Sequence, residues 1–193
     1  MHSCSSHLIN QSLRRTTMNS EKLTPGVTFP EIQVLDTKGN IQSLVSPTDA
    51  EHWTMVVVYR GVHCPICSKY LTQLQEMRSQ FQDIKVDIVA VSADSVEQLN
   101  TKLDDVSVEF PVYAGLTKEH MSALGLYLSQ PTSEAETDHD FPEPGLFVVN
   151  SDNKVQVLEI ANSPFVRPDL NMLVSGLGYT RKNDYPIRGT KSF

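Results

Sequence analysis

A chain of 193 residues, 39% hydrophobic and 20% charged, can bury an ordinary core and reads as one globular domain with extensions. Its 16 basic against 23 acidic residues give a net charge of −7 with no basic stripe, which argues against nucleic acid as a partner. The longest wholly apolar runs are about five residues, far short of a membrane span, so no membrane role is expected.

From Met1 to Ser20 there is no acidic residue, Arg14-Arg15 is basic, and Ser and Thr are frequent, a pattern with a faint likeness to an organelle transit segment. Leu8, Ile9 and Leu13 make only a weak amphipathic stripe, which favours a plain tail or a true start at Met18. Residues 1–24 are therefore assigned to an N-terminal tail closed by Pro25-Gly26. Phe29 to Leu35 is a candidate edge strand with Ile32 and Val34 on one face. The turn Asp36-Thr37-Lys38-Gly39-Asn40 leads to a return strand at 41–44.

Met55 to Tyr59 is apolar at every position, as suits a strand covered on both faces. A helix from Ser68 to Phe81 follows, placing Cys67, Tyr70, Leu71, Leu74, Met77 and Phe81 toward the core. Val86 to Val91 is a second buried strand, and Ser92-Ala93-Asp94-Ser95 supplies the cap for a helix to about Leu103. A short strand at 110–113 and a helix at 118–124 come next. Residues 130–144 carry five acids and three prolines and read as a solvated loop, a candidate flap over an active site. Gly145 to Val149 and Val155 to Ile160 form a hairpin, Pro168 opens a last helix to Leu177, and 179–193 is a C-terminal tail. Strands alternating with helices predict an α/β layer structure whose hairpins make the sheet mixed. The expected domain spans residues 25–178.

Chemistry concentrates at Cys64-Pro65-Ile66-Cys67, where a buried strand hands over to a helix. The amide groups of a first helical turn lack intrahelical acceptors and favour an anion. A cysteine held there drops from a pKa near 8.5 toward roughly 3.5–7.5, and its thiolate is the reactive species. The spacing puts Cys67 on the core face and leaves Cys64 the more exposed thiol. The competing reading is half a zinc site, but a second cysteine or histidine pair is absent, so neither a metal nor another cofactor is expected. Three cysteines do not make a secreted disulfide framework; a reducing compartment, the cytoplasm, fits better, with Cys4 incidental. His63 could tune the thiolate or stand as an idle neighbour. Arg60, adjacent in sequence, could lower the Cys64 pKa or serve in a surface ion pair.

Tyr59 to Cys67, Val91 to Ser95, Phe110-Pro111, Gly145 to Val149 and Val166-Arg167-Pro168, taken in order, resemble the peroxiredoxin-like AhpC/TSA branch of the thioredoxin superfamily. The resemblance implies a thioredoxin-like fold, a central mixed sheet flanked by helices. It implies that Cys64 is a peroxidatic thiolate, that Cys67 resolves its sulfenic acid to a disulfide, and that an external thioredoxin or glutathione system reduces that disulfide. By family position Arg167 is a second cation near the thiolate. Three positions depart from the family pattern. Gly61 stands where a Thr hydroxyl is usual, Val57 where a Pro is usual, and Pro144 where an Arg is usual. Pro144 falls about where thioredoxins carry a cis-proline. Three functions follow as expectations: a thiol peroxidase acting on peroxides, a dithiol-disulfide oxidoreductase acting on protein disulfides, or a redox-sensing module without catalysis.

Overall fold

The computed structural model describes residues 22–191; the expectations for the first 21 residues, Cys4 and Met18 among them, lie outside that range. In chain order the elements are β1 (Gln33–Leu35), β2 (Ile41–Ser43), β3 (Trp53–Val58), α1 (Pro65–Glu76), α2 (Arg78–Asp83), β4 (Val86–Val91) and α3 (Val96–Asp105). There follow β5 (Val112–Tyr113), α4 (Lys118–Ala123), β6 (Leu128–Ser129), β7 (Phe141–Pro142), β8 (Gly145–Val149), β9 (Val155–Ile160) and α5 (Leu170–Lys182). Five strands form the central sheet in the order β5-β4-β3-β8-β9. β3 runs parallel to β4 and antiparallel to β8, so the sheet is mixed as expected.

The all-apolar run of β3 is explained by its central place. Met55, Val57 and Tyr59 join Ile88, Ala90, Leu146 and Val148 in a core completed by Cys67, Leu71, Leu74, Leu99, Leu170 and Leu177 from the helices. Val56 and Val58 face the opposite side with Val89, Val91, Phe147 and Val149, against Phe29, Leu44, Met121 and Leu124. Two faces buried at once favour apolar side chains at successive positions; the one polar residue of β3, Thr54, is itself buried. In register, Val58 lies opposite both Val91 and Gly145, so β3, β4 and β8 meet at the end from which the cysteines emerge.

Several boundaries differ from the sequence reading. The first strand is confined to Gln33–Leu35. The helix expected over 68–81 starts at Pro65 and is interrupted at Met77, whose backbone (φ −99°, ψ 1°) closes α1 and opens α2. Asp169, whose side chain accepts from the Met172 amide at 2.8 Å, caps α5 and leaves Pro168 outside its first turn. That helix also continues past Gly178 to Lys182. The segment 130–144 is not solvated throughout, because Phe141, Pro142, Glu143 and Pro144 at its end are buried. Among the described residues no helix is long and apolar enough to cross a membrane.

Candidate active site

The turn from β3 into α1 is built from Arg60, Gly61, Val62 and His63. Gly61 adopts φ +147°, a conformation L side chains rarely take, and a Cβ there would stand 2.6 Å from Asp94 Oδ1. The Cys64 amide donates to the Gly61 carbonyl at 3.2 Å, which fixes the turn just before the helix. Cys64 is itself the N-cap of α1, in extended backbone, with Sγ accepting from the Cys67 amide at 3.3 Å. Pro65 follows at the start of the helix, and the first turn holds no acidic residue to oppose an anion.

Cys64 and Cys67 are joined as a disulfide with their Cα atoms 5.3 Å apart. Cys67 lies on the core face as the helical spacing predicted. Cys64 does not stand out in solvent; it is 2% exposed against 0% for Cys67. The preceding turn is tied down, its Val62 amide donating to Asp94 and its Val62 carbonyl accepting from Lys102, so the cap residue is buried almost as deeply as its partner.

Arg167 reaches the pair from the segment before α5. Its Nη2 donates to Cys67 Sγ at 3.2 Å and its Nε to the Pro164 carbonyl at 3.2 Å, with the guanidinium 5.0 Å over the Tyr70 ring. Tyr70 in turn donates its hydroxyl to the Pro168 carbonyl at 3.2 Å, so ring and cation are fixed together. Burial pulls the Arg167 pKa below the ordinary guanidinium value.

Arg60 is disposed differently. It lies over the Phe141 ring at 4.6 Å and faces two carboxylates, Glu136 and Glu143, each at 3.4 Å. His63 packs tilted against the same Phe141 ring, centroids 4.6 Å apart, with both ring nitrogens buried and without a partner among the described residues. Burial first, then the Arg60 charge, pushes the His63 pKa below its usual value. Pro144 is buried at the cysteine end of the sheet, next to the Val58–Gly145 register pair. Its peptide bond is trans, contrary to the cis-proline expectation. The Pro144 carbonyl accepts from the Ala161 amide at 3.0 Å, carrying the β8–β9 pairing one step further in extended backbone.

Two residues that sequence reasoning passed over belong to the same turn. Asp94, fully buried, accepts from the Val62 amide at 2.9 Å and the Ser92 hydroxyl at 2.8 Å, and burial raises its pKa. It sits in the cluster read as a helix cap, but only Ser95 does the capping. Lys102, 2% exposed, donates to the Val62 carbonyl at 3.0 Å, the Cys64 carbonyl at 3.5 Å and the Ser68 hydroxyl. Its signal was present in the sequence, a lysine on the apolar stripe of α3 between Leu99 and Val106.

A cysteine pair closed at the mouth of a helix, with a cation on one sulfur, prompts comparison with known proteins. The AhpC/TSA family model matches residues 25–158. The chain belongs to the AhpC/TSA family. Among curated AhpC/TSA-like relatives, a peroxiredoxin of Methanococcus maripaludis is 28% identical over 108 residues, covering 52% of this chain and 49% of that protein. A 1-Cys peroxiredoxin of Medicago truncatula is 23% identical over 142 residues, covering 70% and 63%. The chain thus spans about half the length of the first of these, 49%. Among solved structures, a peroxiredoxin-like protein from Aquifex aeolicus aligns with TM-score 0.67 at 13% identity, over 82% of this chain and 88% of that one. Peroxidoxin BcpB from Mycobacterium tuberculosis aligns with TM-score 0.64 at 14% identity, over 83% and 97%. At such identities the likeness establishes the fold, a thioredoxin-like mixed sheet flanked by helices. Within that AhpC/TSA frame the Gly61 departure has a structural counterpart, because the volume a side chain would need is filled by Asp94 Oδ1.

Proposed function

We propose that the chain is a thiol peroxidase in which Cys64 is the attacking thiolate and Cys67 the resolving thiol. The observation that carries this reading is the Cys64–Cys67 disulfide at the mouth of α1, in a chain of the AhpC/TSA family. In the reduced protein Cys64 Sγ stands at the amide end of a 12-residue helix, where the helix field favours its anion. The thiolate attacks one oxygen of a hydroperoxide; the O–O bond breaks, the sulfur becomes a sulfenic acid, and the other oxygen leaves as an alcohol or water after taking a proton. The Cys67 thiol then attacks the Cys64 sulfur and expels water, forming the disulfide.

An external dithiol of the thioredoxin or glutathione class supplies the two electrons that reopen the bond, and is itself oxidised to a disulfide. Arg167 stabilises Cys67 as a departing thiolate in that step, given its 3.2 Å contact with Sγ. Arg60, held by Glu136 and Glu143, anchors the acidic segment near the site, and buried Pro144 lies at the same end of the sheet as the cysteines. The sulfur atoms carry the electrons, so the cycle calls for no other cofactor. The cysteine usage supports a reducing compartment, the cytoplasm.

Hydrogen peroxide and organic hydroperoxide consumption under dithiol turnover tests this reading. Wild-type protein should turn over, Cys64→Ser should not, and Cys67→Ser should react once without forming the internal disulfide. A wild-type rate no greater than that of Cys64→Ser sinks it. One feature supports a second reading, a disulfide oxidoreductase acting on protein disulfides: Gly61 supplies no hydroxyl to hold a peroxide, and Asp94 fills the space one would need. Reduction of insulin disulfides, lost on changing either cysteine and unaccompanied by peroxide turnover, would favour that second activity.

A further inference from the structure

The buried end of Lys102 poses a charge problem. Its side chain enters from α3 beneath the cysteine turn and ends on the Val62 and Cys64 carbonyls and the Ser68 hydroxyl, all neutral acceptors. Among the described residues none of its hydrogen-bond partners is a carboxylate. Three acceptors satisfy the donors but leave a positive charge in a place with little water, and such a group is costly unless an anion compensates it. The same three acceptors bracket Cys64 from both sides, two residues before it, at it, and four residues after it.

We propose that Lys102 is a positioning residue for Cys64, a buried ammonium whose charge is balanced when the disulfide opens and the Cys64 sulfur becomes a thiolate. Opening requires an external dithiol, which gives up two electrons and becomes a disulfide. The newly formed anion at the α1 cap then shares the turn with the ammonium that already grips that turn's carbonyls. In the closed form the sulfur is neutral and burial holds the Lys102 pKa below its ordinary value, outweighing Asp94 and Asp105, which act in the opposite sense. Linkage is reciprocal: if Lys102 favours the Cys64 thiolate, the thiolate favours protonated Lys102 by the same factor.

The other groups facing this centre do not take over the role. Asp94 comes from the loop after β4 and is turned to Val62 and Ser92, Asp105 ends α3, His63 packs on Phe141, and Arg167 sits on Cys67. A plain staple of the turn would need only hydrogen bonds. A device for the thiolate needs the charge, and the two are separable by experiment.

The inference rests on Cys64 being an activated thiol, as the proposed function requires, but not on which substrate it meets. The test is the pH dependence of Cys64 alkylation by iodoacetamide in reduced Cys67→Ser protein, with and without Lys102→Met or Lys102→Arg. Lys102→Met should raise the Cys64 midpoint by about one unit, a tenfold loss of thiolate below the midpoint, while the high-pH plateau stays put; Lys102→Arg should restore part of it. An unmoved midpoint with a lowered plateau overturns the inference and leaves a staple. Should Lys102→Met not fold, Nζ titration by nuclear magnetic resonance in otherwise wild-type protein decides: the Lys102 midpoint should rise on reduction, and equal midpoints in the two redox states overturn it. An unperturbed Cys64 midpoint in the protein with native Lys102 would instead defeat the proposed function.

Discussion

Replacing Gly61 by alanine separates two costs that meet at one atom. The backbone there has φ +147°, which an L side chain adopts only with strain of ~1–3 kcal/mol. The new Cβ would also lie 2.6 Å from Asp94 Oδ1, the carboxylate of a fully buried residue held by the Val62 amide and the Ser92 hydroxyl. Asp94 must withdraw, weakening bonds to a charged group that are worth about 1.5–3 kcal/mol each. Gly61→Ala should therefore lose about 3–5 kcal/mol, a large share of the ~5–15 kcal/mol that holds a typical domain together. In a chain of this size that corresponds to a melting point lower by roughly 6–20 °C. Urea denaturation followed by the fluorescence of Trp53, the single tryptophan, measures it. Gly61→Ala combined with Asp94→Ala should lose less than the sum of the two single changes, because the clash disappears while the backbone strain remains. A Gly61→Ala protein within about 1 kcal/mol of wild type would show that the turn yields and refute the reasoning.

Three other outcomes follow from the same site. Because the folded-state pKa of His63 is depressed, the unfolded chain takes up a proton first as acid is added. Stability should decline as pH falls through about 6.5 and level off below the folded value, and His63→Phe should flatten that part of the curve; parallel curves would contradict it. Glu143→Gln removes a buried partner of Arg60 and should cost about 2–3 kcal/mol, less than a fully isolated buried charge because Glu136 remains, with faster proteolysis inside residues 130–140 as a second readout. Arg167→Met should slow dithiol reduction of the disulfide about three- to tenfold, since Cys67 would leave as a less stabilised thiolate; an unchanged stopped-flow rate would remove Arg167 from that step.

The layers of the fold were legible because each central strand is a short run buried on two faces. β4 and β8 come out at the positions the apolar runs marked, and the hairpin of β8 with β9 follows from the turn residues between them. The break at Met77 was not legible, since Met77 and Phe81 keep the helical period across it. The cysteine pair announced itself through spacing and its place after a strand. What surrounds it did not: Arg60 meets Glu136 and Glu143, partners remote in sequence that no periodicity connects. Lys102 was hidden because a long amphipathic side chain on an apolar stripe is easily taken for one that reaches water. The buried state of Cys64 likewise depends on how the preceding turn is bonded to Asp94 and Lys102, residues remote in sequence that local spacing does not encode.

The matched family segment ends at residue 158, yet the architecture does not close there. The guanidinium resting on the Cys67 sulfur comes from Arg167, and Leu170 and Leu177 fill the same core as the cysteine helix. Arg181, further along, stacks on Trp53 at the start of the central strand and donates to the Glu51 carbonyl at 2.7 Å. A fragment excised at the boundary of family homology would therefore keep both thiols while shedding a wall of their chamber. Its redox behaviour would belong to a different molecule.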